Sequence, residues 1–156
     1  YCVDQVLFTG QRYANAAKFG GDKHNTDTKN AREKIPLIAV DSFENIESLR
    51  AVLSDKTKII CVDLVEGAIP LPHFKHPEKA LYIFGPEDGN IAQKIINQAD
   101  EVVYIPTIGC MNLAATANVV LYDRLAKSHT GKTLIEQGDE LIRSSRDGNN
   151  HLKVNK

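Results

Sequence analysis

The strongest constraint on the fold is a recurring pattern: a short apolar run, a turn signal, then residues whose apolar members fall three or four apart. Val3 to Phe8 runs into Thr9-Gly10, Ile35 to Val40 into Asp41-Ser42, and Lys58 to Leu64 into Glu66-Gly67. Ala80 to Phe84 stops at Gly85 and Glu101 to Ile105 at Pro106. Short β-branched runs bounded by such residues read as strands. The near-continuous Lys-Ile-Ile-Cys-Val-Asp-Leu stretch reads as a strand covered on both faces, as in parallel sheets. Helical spacing follows four of the five runs, all but Lys58 to Leu64. Arg12 to Phe19 is one candidate. Phe43, Ile46, Leu49, Arg50 and Leu53 follow caps at Asp41 and Ser42. Ile91, Ile95 and Ile96 follow Gly89 or Asn90, and Leu113 to Leu125 forms a long Ala-rich helix behind Asn112. Strands alternating with helices predict an α/β domain with a mostly parallel sheet flanked by helices.

The chain of 156 residues fits one domain over 1–156, with a polar C-terminal extension at 128–156. Ile135, Leu141 and Ile142 predict a last helix there, and the end is expected to fray. Asp22 to Lys34 reads as a polar loop and Pro70, Pro72 and Pro77 as punctuation of another. No apolar run approaches the ~18–20 residues of a membrane span. Three cysteines, Cys2, Cys61 and Cys110, lack the paired spacing of a disulfide framework or a zinc site. With no secretory leader pattern, a cytoplasmic setting without membrane or metal is expected. The net charge of −1 neither supports nor excludes RNA, since a local basic patch suffices for phosphate contact. Candidates for such a patch are the Lys23–Lys34 loop, Arg143, Arg146, Lys153 and Lys156, each of which reads equally well as solvated surface.

In open parallel sheets, ligands sit beyond the carboxyl ends of the strands, and here those ends carry unusual loops. They are Asp63-Leu64-Val65-Glu66-Gly67, Gly85-Pro86-Glu87-Asp88-Gly89-Asn90, and Ile105-Pro106-Thr107-Ile108-Gly109-Cys110-Met111-Asn112-Leu113. Glycine permits close backbone approach, and a carboxylate before a helix suits its dipole. By local physics alone, plain strand-to-helix connections with capping residues are the favoured reading of the second loop and a strong one of the third. No dinucleotide fingerprint, phosphate loop, nucleophile elbow or zinc spacing is present. His73 and His76, three apart in the Pro-rich loop, have the spacing of a possible metal pair, but with no Cys or carboxylate ligands nearby the preferred reading is two solvated side chains.

Leu81-Tyr82-Ile83-Phe84-Gly85-Pro86-Glu87-Asp88-Gly89 resembles the second motif of the SpoU (TrmH-like) family of RNA 2′-O-ribose methyltransferases, within the SPOUT superfamily. Ile105-Pro106-Thr107, Cys110-Met111-Asn112-Leu113 and Val119-Val120-Leu121-Tyr122-Asp123 together resemble its third. The resemblance is strong from about Lys58 to Lys127 and weak over the first strand. It implies a C-terminal deep trefoil knot, S-adenosylmethionine as cofactor, transfer RNA or ribosomal RNA as substrate, and a homodimer. It places cofactor contacts at Asp63, Leu64, Gly85, Ile105, Cys110 and Leu113, and catalytic roles at Glu87 and Asn112. The chain departs from the family pattern in three ways. Its third loop is shorter, Cys110 stands where serine is common, and the first motif, Asn-x-Gly-x-x-x-Arg, is missing. The last departure implies that the first strand and helix of the fold lie outside this sequence. It also leaves open a non-catalytic RNA-binding or dimerisation module of the same fold. A base-methylating enzyme of the same superfamily is the other alternative.

Overall fold

A computed structural model describes residues 1–10, 34–40, 42–43, 46, 49–50, 53–54, 56–86 and 88–154. The helical candidate at Arg12 to Phe19, the loop from Asp22 to Glu33, Asp41 and Lys156 lie outside the described residues.

The strands are β1 (Val6–Phe8), β2 (Leu37–Ala39), β3 (Lys58–Val62), β4 (Ile69–Pro70), β5 (Ala80–Phe84) and β6 (Glu101–Tyr104). Among the described residues every pairing is parallel, in a two-stranded sheet β1-β2 and a four-stranded sheet of order β4-β6-β3-β5. β3 is therefore central, which matches its uninterrupted apolar sequence. The alternation along the strands sorts two cores. Ile59, Cys61 and Ile83 point to one face, where Ile46, Leu49, Ile91 and Ile95 cover them and Leu7 packs alongside. Ile60, Val62 and Val103 point to the other, beneath Leu71, Phe74 and Val120. This is the period of two expected of a pleated strand, with each face buried by different elements. The α/β reading with a mostly parallel sheet holds.

Helices are α1 (Gln93–Ile96), α2 (Leu113–Lys127), α3 (His129–Gln137) and α4 (Asp139–Ser145), with a 3-10 turn η1 at Leu71–His73. Ile46, Leu49 and Arg50 are also helical. Three expectations change. α1 starts after Ala92 without a side-chain cap, so neither Gly89 nor Asn90 caps it. Its N-terminal approach is instead tied down by a carboxylate from another loop. The Pro-rich stretch is not merely punctuation, because Ile69 and Pro70 add a short parallel strand to the sheet edge, a place that tolerates proline's missing N–H. The C-terminal extension forms two helices, broken at Gly138, whose φ of 50° disfavours a side chain. Ser128 caps α3 by accepting from the Gly131 N–H. Gly131 itself lies so close to the Leu125 carbonyl that a Cβ would collide with it.

Asp100 locks the start of β3. Its carboxylate accepts from the Ile59 N–H at 2.8 Å, from Lys58 Nζ at 3.0 Å and from Arg50 at 3.0 Å. Burial pushes its pKa up, but those three donors outweigh it and hold the group below the usual carboxylate range.

A cleft at the carboxyl ends of three strands

Because β3, β5 and β6 run parallel and adjacent, their carboxyl ends lie side by side, and the loops leaving them form one open cleft. Val62, Asp63 and Leu64 come from β3, Phe84 to Pro86 with Gly89 and Asn90 from β5, and Ile105, Thr107 and Gly109 to Met111 from β6. Leu113 and Thr116 of α2 complete it, around a cavity of about 150 Å³. Asp63, Leu64, Gly85, Ile105, Cys110 and Leu113 all line this cleft. Asn112 adjoins it at the start of α2, and Glu87 lies outside the described residues.

Asp63 organises the cleft rather than standing free in it. One carboxylate oxygen accepts from the Leu64 N–H and the other from the Ile91 N–H, both at 2.8 Å. The second bond spans two loops and holds the Gly85–Asn90 turn against the end of β3. Gly85 sits in this bridge, where a Cβ would lie 3.5 Å from the Asp63 oxygen and from Ile91. Ile91 is buried, so its N–H depends on this acceptor. Nothing local in the sequence signals a capping residue 28 positions away.

Asn112 caps α2. Its Oδ1 accepts from the Ala115 N–H at 2.8 Å, and its carbonyl accepts from both Thr116 N–H and Thr116 Oγ1. The sequence expectation of an N-cap is met, and the side-chain Nδ2 donors are not consumed by it. Thr107 Oγ1 donates to the Gly109 carbonyl at 3.0 Å and tightens the third loop, where Gly109 has φ of 84°. Cys110 is exposed in the cleft, whereas Cys61 is buried. Burial, reinforced by the Asp63 charge, pushes the Cys61 thiol up to about 11.

The cleft wall mixes apolar side chains (Val62, Leu64, Ile105, Leu113) with a carboxylate and with Asn90, Thr107 and Thr116. Such a wall suits a ligand with a flat apolar part and a polar, charged tail. Among the described residues no group of three His, Cys, Asp or Glu could hold a metal ion. No helix among them is long and apolar enough to cross a membrane.

One expectation is corrected here. His76 is not solvated: its side chain is 5% exposed, because Phe74 packs on its ring and both ring nitrogens have partners. His73 is exposed as expected. Of the basic candidates, Lys34, Arg143 and Lys153 are exposed and Arg146 is half-buried.

A parallel α/β sheet with a cleft built from three adjacent strand ends is the architecture of a nucleotide- or cofactor-binding protein. The sequence profile of the SpoU rRNA Methylase family matches residues 3–122, and the chain belongs to that family. A search of the curated proteins finds no match. Among solved structures, the A. aeolicus TrmH/SpoU tRNA modifying enzyme is similar with a TM-score of 0.59 and 13% identity. The match covers 90% of this chain and 85% of that one. An rRNA methyltransferase from Sinorhizobium meliloti gives 0.58 and 13%, over 79% of this chain and 45% of that one. The SpoU methyltransferase AviRb from Streptomyces viridochromogenes, solved in complex with the cofactor AdoMet, gives 0.51 and 22%, over 60% and 37%. The chain thus spans under half the length of the last two proteins, and at these identities the likeness shows the fold.

Proposed function

We propose that this chain is the cofactor-binding part of an RNA methyltransferase that uses S-adenosylmethionine to methylate a ribose 2′-hydroxyl in transfer or ribosomal RNA. The observation that carries this is the convergence of Asp63, Leu64, Gly85, Ile105, Cys110 and Leu113 on one cleft. Family membership supports it, and so does the cofactor named for the Streptomyces relative.

The residues present fit such a ligand. Leu64, Ile105 and Leu113 offer apolar walls to an adenine ring, and Gly85 keeps the floor free of a side chain. Thr107, Thr116 and Asn90 offer polar contacts to the remainder. When bound, S-adenosylmethionine supplies an electrophilic methyl group on a sulfonium. The protein's task is then mainly alignment, which can contribute as much as ~7–11 kcal/mol to a transfer reaction. Asn112, held rigidly by its capping bond, presents Nδ2 donors that would orient the hydroxyl oxygen of the substrate. Glu87 is proposed to share in polarising that hydroxyl, whose proton must leave as the new bond forms. An arginine from an Asn-x-Gly-x-x-x-Arg segment would complete the site.

The same reading includes a cytoplasmic homodimer and a knotted C-terminal segment. Val119 and Tyr122 of α2, which are 38% and 62% exposed, offer an apolar face to a second copy. Arg124 and Lys127 bind carbonyls of the 71–78 segment from α2.

Calorimetry with S-adenosylmethionine and methyl transfer to RNA, followed by mass spectrometry of the digested nucleosides, test the proposal. A methyl on the sugar is expected, and a methyl on the base assigns the other chemistry of the superfamily. Binding without transfer in a chain joined to an Asn-x-Gly-x-x-x-Arg segment leaves only the non-catalytic module. Asn112→Asp separates the two jobs of that residue. It keeps a good cap and a stable helix but loses the Nδ2 donors, so transfer falls while thermal stability holds. Unchanged transfer removes Asn112 from the mechanism.

A further inference from the structure

The cleft leaves unused a polar cluster beside the core of Ile60, Val62, Val103 and Val120. His76 Nδ1 is 2.6 Å from the Tyr82 hydroxyl, and His76 Nε2 is 2.8 Å from Asp123 Oδ2. Arg124 donates to the Tyr82 hydroxyl at 3.2 Å, to the Pro77 carbonyl at 2.6 Å and to the Glu78 carbonyl at 2.7 Å. Lys127 Nζ donates to the Leu71 carbonyl at 2.7 Å, to the Phe74 carbonyl at 3.2 Å and to Asp123 at 2.7 Å. All three ammonium protons are used. With a neutral imidazole the bonds run in a consistent direction. Arg124 donates to Tyr82, Tyr82 donates to Nδ1, and Nε2–H donates to Asp123, which also receives Lys127. That sequence requires a neutral imidazole.

The cluster joins two parts of the cleft. Tyr82 lies two residues before Phe84 on β5, and both pack against that core. Asp123 lies two helical turns after Thr116 on α2, roughly 10 Å along its axis. Phe84 and Thr116 both line the cleft. A rigid bond between Tyr82 and the end of α2 therefore fixes where the start of α2 sits relative to Gly85.

We propose that His76, Tyr82, Arg124 and Lys127 are positioning residues for ligand binding in the cleft, setting the register of α2 against β5 and the 71–78 segment. The inference rests on the reading of the cleft as a cofactor site. None of the four is itself proposed to touch the ligand. Burial holds the His76 pKa below its usual value, against the pull of Asp123 and with the help of Lys127 and Arg124. The groups facing it are Tyr82 from β5, Asp123, Arg124 and Lys127 from α2, and the Phe74 ring from its own segment. A second proton would go to Nδ1, opposite a hydroxyl that already receives Arg124. The clamp is thus intact at neutral pH and loosens as pH falls below the ordinary histidine range.

The test is calorimetric titration with S-adenosylmethionine from pH 8 to 5.5, at a temperature where circular dichroism shows every variant folded. Tyr82→Phe keeps the ring and removes one oxygen. His76→Ala removes the imidazole, and His76→Gln restores a donor and an acceptor that do not titrate. At pH 8, Tyr82→Phe and His76→Ala should bind roughly three- to tenfold more weakly, the order expected for one network hydrogen bond. His76→Gln should recover most of the affinity. The unaltered chain should lose affinity on the acid side and His76→Gln should not, a difference that a merely structural role would not produce. Binding by Tyr82→Phe and His76→Ala within twofold of the unaltered chain overturns the proposal. An acid-side loss that persists in His76→Gln does the same. No binding by the unaltered chain at pH 8 removes the cofactor reading, and the clamp with it.

Discussion

Replacing Asp63 with alanine should loosen the cleft and the fold together. The carboxylate accepts two backbone N–H groups, and they are not equivalent. The Leu64 bond lies at an exposed position, where water replaces the lost acceptor, so it contributes little. The Ile91 bond is partly buried and 28 residues distant in sequence, and Ile91 is 8% exposed. A hydrogen bond to a charged acceptor contributes about 1.5–3 kcal/mol, and a buried donor left without a partner costs a similar amount. Asp63→Ala should therefore destabilise the chain by about 2–3 kcal/mol. Asp63→Asn, which keeps one acceptor oxygen, should cost less, about 1–2 kcal/mol. Urea unfolding followed by circular dichroism reads this as a lower midpoint with an unchanged slope. Calorimetry should show weakened S-adenosylmethionine binding in both variants, since the Gly85–Asn90 turn loses its tether. If Asp63→Ala unfolds at the same urea concentration as the unaltered chain, the bridge does not hold the two loops and the account of the cleft is wrong.

Other consequences follow from named contacts. Gly131→Ala places a Cβ against the Leu125 carbonyl, and because backbone cannot yield cheaply the substitution should cost at least ~1–3 kcal/mol, read as a lower urea midpoint. A thiol reagent at pH 8 should modify Cys110 and Cys2 but not Cys61, whose thiol stays protonated up to about pH 11; mass spectrometry should also show S-adenosylmethionine slowing modification of Cys110 and not of Cys2. Because the folded pKa of Cys61 is raised from 9.0, its contribution to stability is complete below pH 9 and is lost as pH rises from there toward 11. Asp100 has the opposite sign. Its folded pKa is lowered from 3.8, so its contribution is present at neutral pH and disappears as pH falls below that value, which acid titration of Asp100→Asn against the unaltered chain would reveal as a smaller acid-induced loss.

Every strand except β4 was legible from sequence because the signal is local, whereas Ile69 and Pro70 become a strand only by pairing with β6. Ile59, Ile60, Cys61 and Val62 alternate between two cores, and a run apolar on both faces has no other comfortable place than the middle of a parallel sheet. Asn112 as the cap of α2 was legible for the same reason, since a cap and the N–H it accepts lie three residues apart. The loops at 63–67, 85–90 and 105–113 were legible as unusual, and parallel topology brings three adjacent strand ends together. Only the tertiary structure decided what partners those residues have. His76 looked like a surface histidine because its partners, Tyr82 and Asp123, lie 6 and 47 residues away. Asp63 holds the N–H of Ile91, and Arg124 and Lys127 satisfy carbonyls at Leu71, Phe74, Pro77 and Glu78, pairings between residues too far apart in sequence for any local pattern to record. Periodicity records which face of an element is buried. It carries no record of which distant polar group will need a partner once burial has removed water, and packing alone settles that.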